Sequence, residues 1–253
     1  MNPSTIELIH HHRSVRRYLP DPVPRETIER IVTAAQHGST SSNLQMMSVV
    51  VVTNDAKRKQ IAELCRRQFI AEAPVFLVWC ADLKRLDRAC ELRGYTQITS
   101  YVENFLRAGL DATIASQTAA LAAESLGLGI CYIGAIRDNL KNVIDLLALP
   151  RLVFPIFGMT VGRPADEPRI KHRLPIAAVL HWETYNQNQD EALRDYDRLM
   201  IETEFYRENQ ATLPSNGSNV NDYGWLEHSA RLVSQPRRTN LQQVLSDQGF
   251  DLK

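Results

Sequence analysis

The sequence lacks any excess of charge: 29 lysines and arginines face 29 aspartates and glutamates, a formal net charge of zero. No global field therefore draws the chain to nucleic acid or to an anionic membrane. Cysteine is scarce as well. Cys65, Cys80, Cys90 and Cys131 are the four present, and no two stand in a CxxC spacing. That excludes a local zinc ligand set or a thioredoxin-like pair, and leaves them as reduced packing residues. Long apolar runs are missing, none approaching the roughly 20 residues that a membrane span requires. The N-terminal MNPSTIELIHHHRSVRRY has no apolar core of the signal-peptide type, so a cytoplasmic location is expected. A GxSxG elbow, an HExxH motif and a P-loop are all absent, and nothing points to hydrolysis.

What is present is an ordinary globular composition. The 253 residues are 44% hydrophobic and 23% charged, enough for one large core or two modest ones. Pro24 opens PRETIERIVTAAQHG, where Ile28, Ile31, Val32 and Ala35 recur at helical spacing and Gly38 stands at the end. Met46 to Thr53 and Val75 to Ala81 are short apolar runs expected as strands buried on both faces, with Asn54 capping the helix between them. Residues 101–126 are rich in Ala and Leu and free of Pro, which predicts a long helix apolar on most of its circumference, in the middle of the molecule. CYIGA, a helix around Asn139 to Leu147 and the strand-like VFPIFGMTVG follow. Helices thus alternate with strands, as in a layered α and β protein.

The C-terminal part differs. Helical stretches are expected from Asp190, around Trp225 to Val233 and around Arg238 to Gln248, separated by the polar, mobile loop of residues 209–222. This tail offers little apolar surface for a core of its own. Its stripe of Leu193, Tyr196, Leu199, Met200 and Phe205 has no evident partner nearby, and neither does the surplus apolar surface of the 101–126 helix. A homodimer meets both needs.

Two apparent motifs fail on geometry. Consecutive helical residues point about 100° apart, so His10, His11 and His12 cannot converge on one metal ion and read as helix-end residues. Gly127 and Gly129 have G-x-G spacing, but a helix precedes them and a strand follows, the reverse of a dinucleotide-binding turn. They read as a helix end returning into a strand. Two basic clusters remain, HRSVRRY at 12–18 and GRPADEPRIKHRLP at 162–175. Their arginine forks together suit one phosphate dianion.

Read in order with their neighbours, these segments resemble the nitroreductase superfamily, most of all its oxygen-insensitive NADPH nitroreductase and NADPH flavin reductase branch. The R-S-x-R turn is Arg13-Ser14-Val15-Arg16. A Ser-rich loop follows at 39–45, then AAESLGLG-x-x-Y-I-G from Ala122 to Gly134. R-x-N at Arg137 to Asn139, PxFG-x-x-x-G-x-P and the K-x-R-L-P of Lys171 to Pro175 complete the series. The similarity spans roughly residues 3–208.

The resemblance implies a single α+β domain over 1–253 whose central, mostly antiparallel sheet is flanked by helices. Residues 183–253 would form a C-terminal helical extension embracing the partner subunit. It implies FMN bound at the interface of a homodimer and NADPH, or NADH, as co-substrate. FMN would be held by His12, Arg13, Ser14, Arg16, Ser41, Gln68, Tyr132, Ile133, Gly134, Ala135, Lys171 and Arg173. Arg207, Arg16 and Ser42 would serve NADPH, and Asn43, where this branch often has an aromatic, would line the acceptor pocket. No catalytic acid or base is obligatory, because the flavin carries the chemistry. The activity implied is ping-pong reduction of nitroaromatics, quinones, azo compounds or flavins. A flavin reductase releasing free reduced flavin and a low-turnover flavin-binding protein are the alternatives.

Overall fold

The computed structural model describes residues 4–206 and 223–253. The loop expected at 209–222 and Arg207 lie outside the described residues. By contacts the chain divides into two compact units, one of residues 1–170 with 238–253, the other of residues 171–237.

The first unit opens with α1 (Thr5–His10) and α2 (Arg25–Gln36). Then come β1 (Met47–Val52), α3 (Asp55–Cys65), α4 (Phe69–Glu72), β2 (Val75–Asp82) and α5 (Lys84–Arg93). The 24-residue α6 (Val102–Ser125) leads to β3 (Gly129–Ile133), α7 (Leu140–Leu146) and β4 (Val153–Gly162), and α10 (Leu241–Asp247) belongs to this unit. The strands form one sheet in the order β1-β2-β4-β3, each pairing antiparallel. As expected, Asn54 caps α3, its side chain accepting from the Lys57 N–H at 3.0 Å.

Strand β2 is buried along its whole length because both its edges are paired and both its faces covered. Alternation sends Val75, Leu77 and Trp79 to one side, against Ile28, Ile31 and Ala35 of α2 and Ala115, Ala119 and Ala123 of α6. Phe76, Val78 and Cys80 face the other side, against Ile61, Ala62 and Cys65 of α3, Ile70 of α4 and Val143 of α7. Strand β1 departs from the expectation of burial on both faces. It is the sheet's edge, most of it is half-buried, and Val51 is exposed. A third cluster sets Phe105 of α6 edge-on to Phe154 and Phe250, with ring centroids 5.7 and 5.5 Å apart.

Pro155 interrupts β4 in an informative way. A proline cannot donate to the ladder, and the pairing with β2 skips a residue there: Trp79 faces Phe157 while Cys80 faces Pro155. Ile156 is the bulged residue, and its carbonyl accepts from Arg137. Asn139, the other end of the R-x-N motif, donates to the Leu64 carbonyl at 2.6 Å. The motif thus ties the 3-10 turn Gly134–Asn139 to the sheet and to α3.

The second unit contains α8 (Asp190–Glu202) and α9 (Trp225–Val233). The expectation that the tail's stripe lacks a partner is corrected here. Tyr196 and Met200 pack with Tyr206 and Tyr223, against Leu174, Leu199, Phe205 and Trp225. This small aromatic core is assembled from stretches far apart in sequence, which periodicity within one helix cannot reveal. Asp197 on α8 accepts from the Leu226 N–H at 2.7 Å and so caps α9. Gly224 leaves room for this cap, since an added Cβ would lie 2.2 Å from the Asp197 Oδ1 and the carboxylate would have to shift.

None of the four cysteines forms a disulfide. Burial pushes the thiols of Cys65 and Cys80 up to about 12, so neither ionises near neutrality, and Cys131 is buried too. Native protein at pH 8 is therefore expected to react with an aromatic disulfide reagent at Cys90 alone, and at all four cysteines in guanidinium. Rapid labelling of more than one thiol in the native state would contradict this packing.

Candidate active site

Helix α1 starts in a capping box: Ser4 Oγ accepts from the Glu7 N–H at 3.3 Å, and the Glu7 carboxylate accepts from the Ser4 N–H at 2.6 Å. The helix ends at His10, and the chain then runs extended beside β3. Ser14 forms a parallel bridge with Ile130, and the buried Val15 donates its N–H to the Ile130 carbonyl at 2.9 Å. The approach is close enough that a Cβ on Gly129 would sit 2.5 Å from the Val15 side chain, so Gly129 serves backbone contact. Gly127, at φ +75°, is the glycine that ends α6. Tyr18 locks the turn from behind, its hydroxyl 2.7 Å from both the Val15 carbonyl and Thr160 Oγ1. Burial raises the Tyr18 pKa well above the ordinary phenol value, so it stays neutral.

The three histidines part company. His10 and His11 are exposed at the helix end, with the His11 ring 2.7 Å from the Glu7 carbonyl. His12 turns inward, its Nδ1 2.5 Å from Glu124 Oε1 on α6, and the other Glu124 oxygen is buried with no hydrogen-bond partner among the described residues. Arg13 is half-buried, 3.4 Å from Glu167. Arg16 is exposed and makes no ion pair among the described residues, leaving its guanidinium fork available to an anion.

The Ser-rich segment forms a 3-10 turn at Ser41–Asn43, in which Ser42 and Asn43, followed by Gln45, take left-handed backbone angles. Asn43 is exposed, 3.4 Å from the Gln45 side-chain amide. Arg107 Nε donates to Ser41 Oγ at 2.9 Å, and Asp111, also on α6, accepts from the N–H groups of Ser41 and Met46.

Tyr132 closes β3 with its hydroxyl 3.3 Å from Ser116 Oγ and 3.4 Å from the Gln117 side-chain oxygen, again on α6. Ile133 is buried, and Gly134 and Ala135 open the following turn half-buried. Arg238 donates to the Gly134 carbonyl at 3.1 Å and to Asp138 at 2.8 Å. Three of the segments named from sequence, His12 to Arg16, the Ser41 turn and Tyr132 to Ala135, are thus each bonded to α6 or bridged to β3. Gln68 is exposed at the start of α4 and makes no side-chain hydrogen bond among the described residues. Lys171 and Arg173 belong to the second unit.

Sequence reasoning passed over Arg107, Asp111, Ser116, Gln117, Glu124 and Arg238. A signal existed for five of them: they are polar residues in an otherwise Ala- and Leu-rich helix. Arg238 carried none, since its contact lies a hundred residues away along the chain.

Comparison with known proteins decides the family. Residues 9–163, more than half the chain, match the nitroreductase family, and residues 171–253 match the nitroreductase family, C-terminal domain. The chain belongs to the nitroreductase family. Among its relatives, the FMN reductase (NADPH) of Bacillus subtilis is 35% identical, covering 98% of both chains. The oxygen-insensitive NADPH nitroreductase of Salmonella typhimurium is 36% identical over 99% of both. The solved structure of B. megaterium NfrA2 superposes with a TM-score of 0.91 at 36% identity, over 98% of each chain. This nitroreductase therefore falls in the NADPH nitroreductase and flavin reductase branch, with the mixed helix and antiparallel-sheet fold its sequence implied. Among the described residues no helix is long and apolar enough to cross a membrane.

Tyr18→Phe tests the packing of the arginine turn. Removing the hydroxyl leaves the Val15 carbonyl and Thr160 Oγ1 short of a partner, and stability to urea is expected to fall by about 1 to 2 kcal/mol. Unchanged stability would show that this bond does not hold the turn.

Proposed function

We propose that this nitroreductase is an FMN-dependent NAD(P)H oxidoreductase working as a homodimer, with its flavin site built around the Arg13–Arg16 turn. The observation that carries the reading is that α6 and β3 fix three segments rich in hydrogen-bond donors. The His12 turn is held at Glu124 and the Ser41 turn at Arg107 and Asp111, about 20 Å away along α6, so that in the proposed dimer the Ser41 turn of one copy reaches the flavin held by the other. A phosphorylated, hydroxyl-bearing, planar ligand calls for such a set. The donors suit FMN: guanidinium forks at Arg13 and Arg16 for the phosphate, His12 and Ser14 beside them, and Ser41 with the backbone of Tyr132 to Ala135 for the ring. Gln68, Lys171 and Arg173 join them on the strength of the family pattern.

When bound, FMN supplies the two-electron hydride chemistry. The chain's own residues bind and orient. Arg13, Arg16, Lys171 and Arg173 would neutralise the phosphate, while Tyr132 to Ala135 would run along the ring. Arg16, Ser42 and Arg207 hold the nicotinamide co-substrate, and Asn43 lines the place its successor takes. Nitroaromatics, quinones, azo compounds and free flavin are the acceptors, and no side chain is required as acid or base.

Two double variants test the cofactor. Arg13→Ala with Arg16→Ala, and Lys171→Ala with Arg173→Ala, each remove two charge-assisted bonds worth about 1.5 to 3 kcal/mol apiece. FMN affinity by fluorescence titration is expected to fall at least a hundredfold in each. Wild-type affinity in either pair would strike those residues from the site.

The dimer rests on exposed apolar surface. Leu106, Leu110 and Ile114 recur every four residues along α6 and are 51%, 51% and 41% exposed. In the second unit Ile176, Val179, Leu180, Trp182 and Tyr185 are exposed within ten residues. Such stripes belong under a partner, and a second copy covers both if each C-terminal extension embraces the other chain. Leu110→Glu places a charge in the stripe, and sedimentation equilibrium is expected to show a shift from dimer toward monomer. A wild-type protein that sediments as a folded monomer at micromolar concentration would end the dimer reading.

A further inference from the structure

The turn after Thr40 is held in an uncommon shape. Ser42, Asn43 and Gln45 have φ of 52°, 56° and 52°, in the left-handed region that side chains other than glycine, asparagine and aspartate avoid. Three such residues within four positions do not hold that shape unaided. The two ends of the segment are fastened to a single group. Asp111, 1% exposed, accepts from the Ser41 N–H with Oδ1 and from the Met46 N–H with Oδ2, both at 2.9 Å. One turn earlier on α6, Arg107 Nε donates to Ser41 Oγ at 2.9 Å.

The choice of residue follows from the partners. Both backbone groups are donors, so the clasp must accept on two atoms, which an ionised carboxylate does and an amide does not. A buried carboxylate is costly unless its hydrogen bonds are complete. Asp111 makes no ion pair with a basic side chain among the described residues, so the two amides are what stabilise it. The clasp spans the whole left-handed turn, from Ser41 to Met46, and Met46 is itself buried in the core as the chain enters β1.

We propose that Asp111, assisted by Arg107, is a positioning residue that presets the Ser41–Gln45 turn for flavin and acceptor while touching neither. This rests on the reading of Ser41 as a flavin contact and of Asn43 as lining the acceptor pocket. The clasp turns helix α6 into the template for the pocket: the identity of residue 43 selects the acceptor, and Asp111 decides where residue 43 stands.

The test is Asp111→Asn in the full-length protein, with amide hydrogen exchange at Ser41 and Met46, FMN titration and the visible spectrum of bound FMN read together. The amide NH2 turns one acceptor into a donor facing an N–H. Exchange at one or both of those amides is expected to accelerate at least about tenfold, FMN to bind about tenfold or more weakly, and the flavin band to shift. Exchange unchanged from wild type would overturn the clasp. Faster exchange with wild-type FMN affinity and spectrum would leave the clasp standing but overturn its part in cofactor positioning, whereas the flavin site itself falls only if the Arg13→Ala with Arg16→Ala variant also keeps wild-type affinity. If Asp111→Asn does not fold, Arg107→Met serves instead. Its side chain lies nearer the surface, 25% exposed, and losing the bond to Ser41 Oγ is expected to weaken FMN several-fold at an unaltered melting temperature. Wild-type affinity and an unaltered flavin band in that variant would overturn the proposal.

Discussion

Everything around the candidate site depends on how closely α6 can approach the sheet. Its inner face is Ala108, Ala112, Ala115, Ala119, Ala120 and Ala123, all buried, and side chains of that size bring helix backbone near to strand and to α2. At that distance the longer polar residues of the same helix can reach past its packed face to neighbouring loops. Arg107 and Asp111 take the Ser41 turn, Ser116 and Gln117 the Tyr132 hydroxyl, and Glu124 the His12 ring. A helix of leucines in the same place would stand farther out and lose those bonds. The alanines are thus a packing choice with a consequence for the candidate site, because irregular segments receive fixed positions from a regular element.

The outer face of the same helix follows a different rule. Among the described residues Leu106, Leu110 and Ile114 stay about half exposed, while the inner face is buried. One element therefore carries both the scaffold of the site and the apolar stripe on which the proposed dimer rests. In a homodimer, assembly and site geometry would not vary independently, since a shift of α6 toward a partner would carry the Ser41 turn with it.

Much of the fold was legible because hydrophobic period and local chemistry are properties of neighbouring residues. The helix opened by Pro24, the cap at Asn54, the long Ala-rich helix and the strands of β2 and β4 all follow from spacing and turn residues. So does the failure of the three histidines to converge. Strand β1 was over-buried in the sequence reading because Val-rich runs look alike at the centre and at the edge of a sheet. Which of the two applies is settled by strand order, a matter of long-range pairing. The tail's aromatic core was missed for a related reason: Tyr206, Tyr223 and Trp225 meet Tyr196 only after the chain folds back.

For the candidate site, the sequence by itself supplied the segments proposed for it, an arginine turn, a serine loop and a Tyr-Ile-Gly-Ala segment, and determined the family to which their order belongs. These are chemical identities in a fixed order, which one dimension records in full. Only the tertiary structure decided who holds them. That Asp111 clasps both ends of one turn, that Glu124 meets a histidine 112 residues away and that Arg238 reaches the Gly134 carbonyl depends on directions in space. Hydrogen bonds form between groups that the packed core brings within about 3 Å, and no local pattern encodes that distance.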